Sequence, residues 1–522
     1  MPLFLRISLV LSLFILSACP SRPEVREAKK EPLQERVHHY PLRDEVDTLD
    51  PAHTQRNSSQ IVLNQLFDGL VRFDKHLNIL PGLAESWIIS EEGRVYTFFI
   101  RKGVRFHNGR EVRAEDAAYS IRRAMGDGLL PVSEAVLEGG PFQVEEVRPE
   151  GDHTLVIRLK EPYAPTLNVF AMINARIVPR EEVEKGSFDR HPVGTGPFRF
   201  VSWEGKEIVL EANPEYFEGR PFLDRLVYRL FPGPDDRGIF RAFMAGEVEN
   251  FTIPLTEDLD TLSSKGFTIV KRPMAKLHIY GFNNTIKPFN INGVREAIYH
   301  VIDRERIVRE AVDGRVPFAN GLIPPGIAGY TPKFKGHRYD PEEARGLLKE
   351  AGYPGGEGLP PIDLWTASRS AAANRELDIV RENLSDIGIK VNIRYAPWPR
   401  LEEMMKKGEL PMFRSTVNLE FPDPEAVLGL LFDSKGVYNY TFYENPEVDR
   451  LLEEGRGDMD MLKRIETYRK IEKIVLDDAP LIPVLFYAYE QALQPYVKGF
   501  EASALGEIYI QMKKVRFEEV EE

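Results

Sequence analysis

A single cysteine, Cys19, stands in 522 residues. With no second thiol there is no internal disulfide, so the folded state rests on ordinary hydrophobic cores, which a chain of this length can build in two or three domains. Histidine is scarce too, ten in all, and with one cysteine this argues against a protein-only transition-metal cage; no metal and no cofactor is expected. No apolar run reaches the roughly 20 residues that a membrane-spanning helix requires. Positive charge is in deficit: 68 Lys and Arg stand against 81 Asp and Glu, a formal net charge of -13, without a concentrated basic stripe, which disfavours nucleic acid as a partner. Also missing are a Gly-x-Ser-x-Gly elbow, a His-Glu-x-x-His helix and a Gly-x4-Gly-Lys-Ser/Thr loop. Enzymes that assemble a site from scattered residues are not excluded by that, but no carboxylate pair stands out, and the chain is read as a non-enzyme.

The N-terminus is informative. Arg6 precedes the apolar stretch Ile7 to Leu16, and Ser17 and Ala18 lead into Cys19. The pattern is that of a secretory signal over residues 1–18, and its end resembles a bacterial lipobox, in which the Cys19 thiol is lipidated and becomes the mature N-terminus. Residues 19–36 are rich in Pro, Glu, Lys and Arg with little apolar content; they read as a tether holding an extracytoplasmic body near a membrane.

Strand patterns dominate the first half. Val95 to Ile100, Thr154 to Leu159, the Ile208/Leu210 alternation and the Leu226/Tyr228/Leu230 alternation all have period two. Asn108-Gly109 marks a tight hairpin, both residues tolerating positive φ, with a helix following from Glu115 to about Met125. His107 beside that turn reads as structural, and His38-His39 as solvated or at a strand edge. The second half alternates helix and strand. Asn292 and Asp303 are candidate caps, and Asp340-Pro341-Glu342-Glu343 has the form of a capping box. Ile362 to Tyr395 reads as a right-handed βαβ unit. Met461 to Leu476 is a helix preceded by Asp458-Met459-Asp460, better taken as N-terminal helix charge than as a calcium loop, and Leu481 to Tyr489 is a buried strand.

Several motifs then fall in a familiar order. Leu66-Phe67-Asp68-Gly69-Leu70-Val71, Pro81-Gly82-Leu83-Ala84-Glu85-Ser86-Trp87, Phe106-His107-Asn108-Gly109, Gly194-Thr195-Gly196-Pro197-Phe198 and Asp478-Ala479-Pro480 with Ile482-Pro483 resemble the extracellular solute-binding proteins (family 5) that serve oligopeptide and dipeptide ABC importers. The resemblance implies an α/β, periplasmic-binding-protein-like fold of the type II, three-lobe kind. Lobe I would comprise 37–60, 178–275 and 490–522; an extra strand-rich lobe II, 61–177; and lobe III, 276–489. Two lobes would close over a solute. The implied function is a monomeric lipoprotein receptor that hands a peptide or other amine-bearing solute to permease subunits. Open alternatives are a non-peptide solute such as a nickel chelate, haem or oligosaccharide, a sensory module, or an exported hydrolase.

Peptide-binding members resemble one another at a Trp-x-x-Asp-Tyr/Asn-x-Asp-Pro run, whose first Asp meets the peptide ammonium. Here the run is Val417-Asn418-Leu419-Glu420-Phe421-Pro422-Asp423-Pro424, so Glu420 keeps the charge on a longer arm while Val417 removes the aromatic wall. The resemblance also nominates Arg56, Asn57 and Ser58 on the facing lobe, Trp398 near the ligand, and Arg369 or Arg375 as partner of a ligand carboxylate.

Overall fold

Period-two alternation decides the first sheets. In strand Val95–Ile100 the side chains of Tyr96, Phe98 and Ile100 are at most 2% exposed, each burial stabilising the fold by about 1.5–3 kcal/mol. The computed structural model describes residues 35–54, 56–126, 141–231, 236–254, 259–334 and 336–518. Chain contacts separate Met1–Glu35 from Arg36–Glu522. The signal segment, Cys19 and nearly all of the tether lie outside the described residues, and the architecture below is that of Arg36–Glu522.

Strands Ala84–Ser90, Val95–Ile100, Thr154–Leu159 and Val144–Glu150 form, in that order, an antiparallel sheet, packed by helix Ala114–Gly126 through Ala117, Ala118 and Ile121. A second sheet runs Val37–Leu42, Arg225–Leu230, Glu207–Ala212, Phe198–Glu204, its first pair parallel. The third is mixed and six-stranded: Asn250–Thr252, Leu481–Leu493, Thr268–Phe282, Met412–Asn418, Ile362–Thr366, Val391–Tyr395. Its two longest members, Thr268–Phe282 and Leu481–Leu493, pair antiparallel from Thr268↔Leu493 to Gly281↔Leu481, with register shifts between Pro273 and Leu277 and between His278 and Ile279. The bulges bend this ribbon. At one end it carries the Asn250–Thr252 strand, at the other the parallel strands Ile362–Thr366 and Val391–Tyr395.

Helix Ala371–Asp386 joins those parallel strands as the βαβ unit requires, burying Leu377, Val380 and Leu384. Asp303 and Asp340 cap helices Arg304–Ala311 and Pro341–Glu350 by accepting backbone N–H bonds, as does Asp460 for Met461–Asp478. Two local expectations need correction. Asn292 is the first residue of helix Asn292–Val301 rather than its cap, which is Ile291; its side chain bonds within the helix, to Glu296 and Arg295. The Asp340 box is not closed by Glu343, because the Asp340 N–H donates to the His300 carbonyl at 2.8 Å. The tight turn at Asn108-Gly109 forms as read, with Arg105 and Glu111 bridged antiparallel across it; Gly109 takes the positive φ, +88°, while Asn108 Oδ1 accepts from Arg110 N at 3.1 Å. His107 is structural, bonded to the backbone of Gly194 and Gly196, and burial pushes its pKa down to about 4. His38 does sit on an edge strand, yet it is fully buried against Asn250 rather than solvated.

Candidate functional site

Strand Met412–Asn418 is paired on both sides only at its start. Met412 and Phe413 face Leu364 and Trp365, but from Arg414 onward the ladder continues only on the Thr268–Phe282 side. Its other edge therefore offers backbone groups to which an extended ligand can add as a strand. The chain stays in line one residue further, Leu419 N donating to Ala275 O at 2.9 Å, and then turns into helix Glu425–Phe432.

Between this strand, helix Glu425–Phe432 and helix Trp398–Lys406 lies a cavity of about 210 Å³. Its lining is largely apolar, with Ile279, Phe413, Val417, Leu430, Leu431 and Leu481, and it carries two carboxylates, Glu402 and Glu420, but no Lys, Arg or His. Glu402 is satisfied: it accepts from Tyr440 OH at 3.3 Å and pairs with Lys406 at 3.1 Å. Glu420 has neither hydrogen bond nor ion pair among the described residues, and loss of water pushes its pKa up to about 7.

The acids that follow Glu420 behave oppositely. Asp423 meets Arg464 through two bonds of 2.9 and 2.8 Å, both side chains 3% exposed. Glu425 is held by Arg456 at 2.6 Å and by Tyr468 OH at 2.8 Å. Two of three neighbouring carboxylates thus fasten the loop to later helices, leaving Glu420 as the one facing the cavity. The strand is fastened as well: Glu376 of helix Ala371–Asp386 accepts from Tyr280 OH and from two Arg414 nitrogens and meets His278 at 2.7 Å. Despite its burial, the Glu376 carboxyl is held far below its usual range by His278 and Arg414 beside it. Neither network was evident from residue types, since the partners lie tens of positions apart.

Of the residues nominated from sequence, Val417, Asn418, Glu420 and Trp398 line the one cavity; Trp398 is 46% exposed at its mouth. The others lie elsewhere. Leu419 turns into the core. Arg369 is exposed with its guanidinium 4.6 Å from the Tyr395 ring. Arg375 is spent on an ion pair with Glu310. Arg56 and Asn57 are exposed at the start of helix Asn57–Leu66, and Ser58 is buried, its Oγ accepting from Asp44 N at 3.3 Å. A residue that sequence reasoning did not nominate, Tyr509 of the C-terminal segment, lies outside the lining of this cavity; its phenol is pushed up chiefly by burial, with the Arg176 charge opposing and the Glu420 charge adding to the shift. Tyr509 packs edge-on against Phe73, ring centroids 5.3 Å apart.

Residues 78–439 match the profile of the bacterial extracellular solute-binding proteins, family 5. The chain is 29% identical over 468 residues to the glutathione-binding protein GsiB of Shigella flexneri, covering 87% of this chain and 89% of that one. Over 473 residues it is 30% identical to heme-binding protein A of Haemophilus influenzae, covering 85% of each. Among solved structures, HbpA2 of Haemophilus parasuis superposes with a TM-score of 0.81 at 25% identity, over 92% of this chain and 100% of that one. The periplasmic binding protein DppA of Helicobacter pylori, in complex with the peptide STSA, gives 0.78 at 26% identity over 92% and 98%. A mixed α/β body with these neighbours, and a profile match spanning most of its length, make this chain a member of the family 5 bacterial extracellular solute-binding proteins.

Proposed function

We propose that the protein is the receptor of an ABC importer and that it captures a peptide or other amine-bearing solute in the Glu420 cavity. One observation carries this reading: a desolvated carboxyl without a partner among the described residues, in a cavity with no basic side chain in its lining. Such a group is completed by a cation, and an ammonium on an otherwise apolar or peptidic body matches both the charge and the lining. The open edge of strand Met412–Asn418 beside it suits an extended backbone. Glutathione and STSA, bound by relatives, each present an ammonium group. Haem, bound by another relative, brings carboxylates that would face Glu402 and Glu420 with no cation among the lining residues, so the amine reading is preferred.

In this reading Cys19 carries the lipid and residues 19–36 form the tether. Lobe I (37–60, 178–275, 490–522) and lobe III (276–489) close about the long paired strands, with lobe II (61–177) packed alongside. Ligand contacts to both lobes favour the closed state, which the permease subunits then engage. The protein works as a monomer outside the cytoplasm. Native mass spectrometry of protein purified without refolding tests the ligand class. A co-purified peptide or amine supports the proposal; a co-purified anionic or neutral solute refutes it.

A further inference from the structure

A second cavity, about 30 Å³ in volume, shares no lining residue with the first. Asn64, Asp68, Arg72, Arg176, Tyr509 and Lys513 are among the side chains around it. Its charges do not balance. Glu218 takes Arg72 through bonds of 2.8 and 2.6 Å and also pairs with Lys513. Asp68 accepts from Thr195 Oγ1 at 3.1 Å and from Tyr216 OH at 3.0 Å. Three cations, Arg72, Arg176 and Lys513, thus stand against two carboxylates, Asp68 and Glu218, a surplus of one positive charge.

The surplus sits on Arg176. Arg176 is 5% exposed, and its guanidinium makes one side-chain hydrogen bond among the described residues, NH2 to Asn64 Oδ1 at 2.9 Å. Its Nε is buried with no partner among the described residues. Asp68 acts on it from beyond ion-pair contact. The neighbouring backbone is shaped to admit it: a Cβ on Gly69 would stand 3.0 Å from Arg176 NH1. A guanidinium has five N–H donors and is costly to bury without a counter-charge. The cavity has room for one water or one monatomic ion. A water would satisfy a donor but leave the charge.

We propose that this cavity binds a chloride-sized monovalent anion, with Arg176 as its principal ligand and Arg72 and Lys513 around it. Soaking crystals of the full-length protein in bromide and measuring anomalous scattering locates such an ion directly. The expected result is a bromide peak within hydrogen-bond distance of Arg176. In solution, the melting temperature should rise by roughly 1–3 °C when gluconate, too large for the cavity, is replaced by chloride or bromide at equal ionic strength. Arg176→Met should abolish that halide-specific rise. Because Arg176→Met also removes the Asn64 hydrogen bond and changes packing, the proposal is tested on the wild-type measurements. No bromide peak at Arg176, or equal melting in halide and gluconate, overturns the proposal.

Discussion

If an ammonium completes Glu420, binding must follow the ionisation of that carboxyl. With the carboxyl pKa at about 7 and a peptide α-amino group at about 7.8, affinity scales with the fraction of protein ionised times the fraction of ligand protonated. Their product peaks near pH 7.4 and is about 50-fold lower at pH 5, a loss of about 2.3 kcal/mol. The sign is fixed by the linkage: the free protein holds the proton below about pH 7 and must release it to bind, so acid weakens binding. Isothermal titration calorimetry with a tripeptide in buffers of different ionisation enthalpy reads both quantities. Near pH 6, binding should release about 0.9 proton to the buffer, and log Kd should fall by about one between pH 5 and 6 and by about 0.7 between pH 6 and 7. Glu420→Gln should weaken binding at least tenfold near pH 7.4, about 1.4 kcal/mol or more, and should flatten the acid limb. A Kd that does not change between pH 5 and 7 in the wild-type protein, with no proton release, would refute the assignment of Glu420.

The same carboxyl is a liability to the free protein. Its folded pKa lies above the unfolded value, so the ionised form costs stability as pH rises past about 4.5, by up to about 3 kcal/mol once pH exceeds the folded pKa of about 7. Glu420→Gln should therefore melt higher than the wild type at pH 8 and equally at pH 4, a difference that thermal melts without ligand will detect. Asp423→Asn leaves Arg464 buried beside a neutral group and should lower the unfolding free energy in urea by about 3–5 kcal/mol. Asp340→Ala removes the carboxylate oxygen that accepts from the N–H groups of Glu342 and Glu343 at the start of helix Pro341–Glu350 and should cost about 1 kcal/mol on the same assay. Cys19→Ser should move the protein from the membrane to the soluble fraction on cell fractionation; continued retention would count against lipidation.

What could be read in the sequence is what residues decide with their neighbours. The alternation in Val95–Ile100 and the Asp-Pro-Glu-Glu run at 340–343 specify strand and helix start because the interactions span a few positions. Asn292 failed as a cap because an Asn in the first helical turn has the same sequence appearance as one just before it; only the backbone angle of Ile291 distinguishes them. The site divides along the same line. The loop from 417 to 425 shows three acids, and nothing local says which is free. Arg456 and Arg464, 31 and 41 residues later, pair with Glu425 and Asp423, just as Glu310, 65 residues earlier, pairs with Arg375. The carboxylate proposed to meet the ligand is found by subtraction: it is the acid that the fold, having provided partners for its neighbours, leaves desolvated and without a partner among the described residues. Such a group opposes stability in the free protein, and a ligand cation that relieves the opposition gains affinity from it. If Glu420 receives the ligand as proposed, the apolar lining that raises its pKa also makes the cavity selective, because a neutral or anionic solute would meet the same desolvated carboxyl without relieving it.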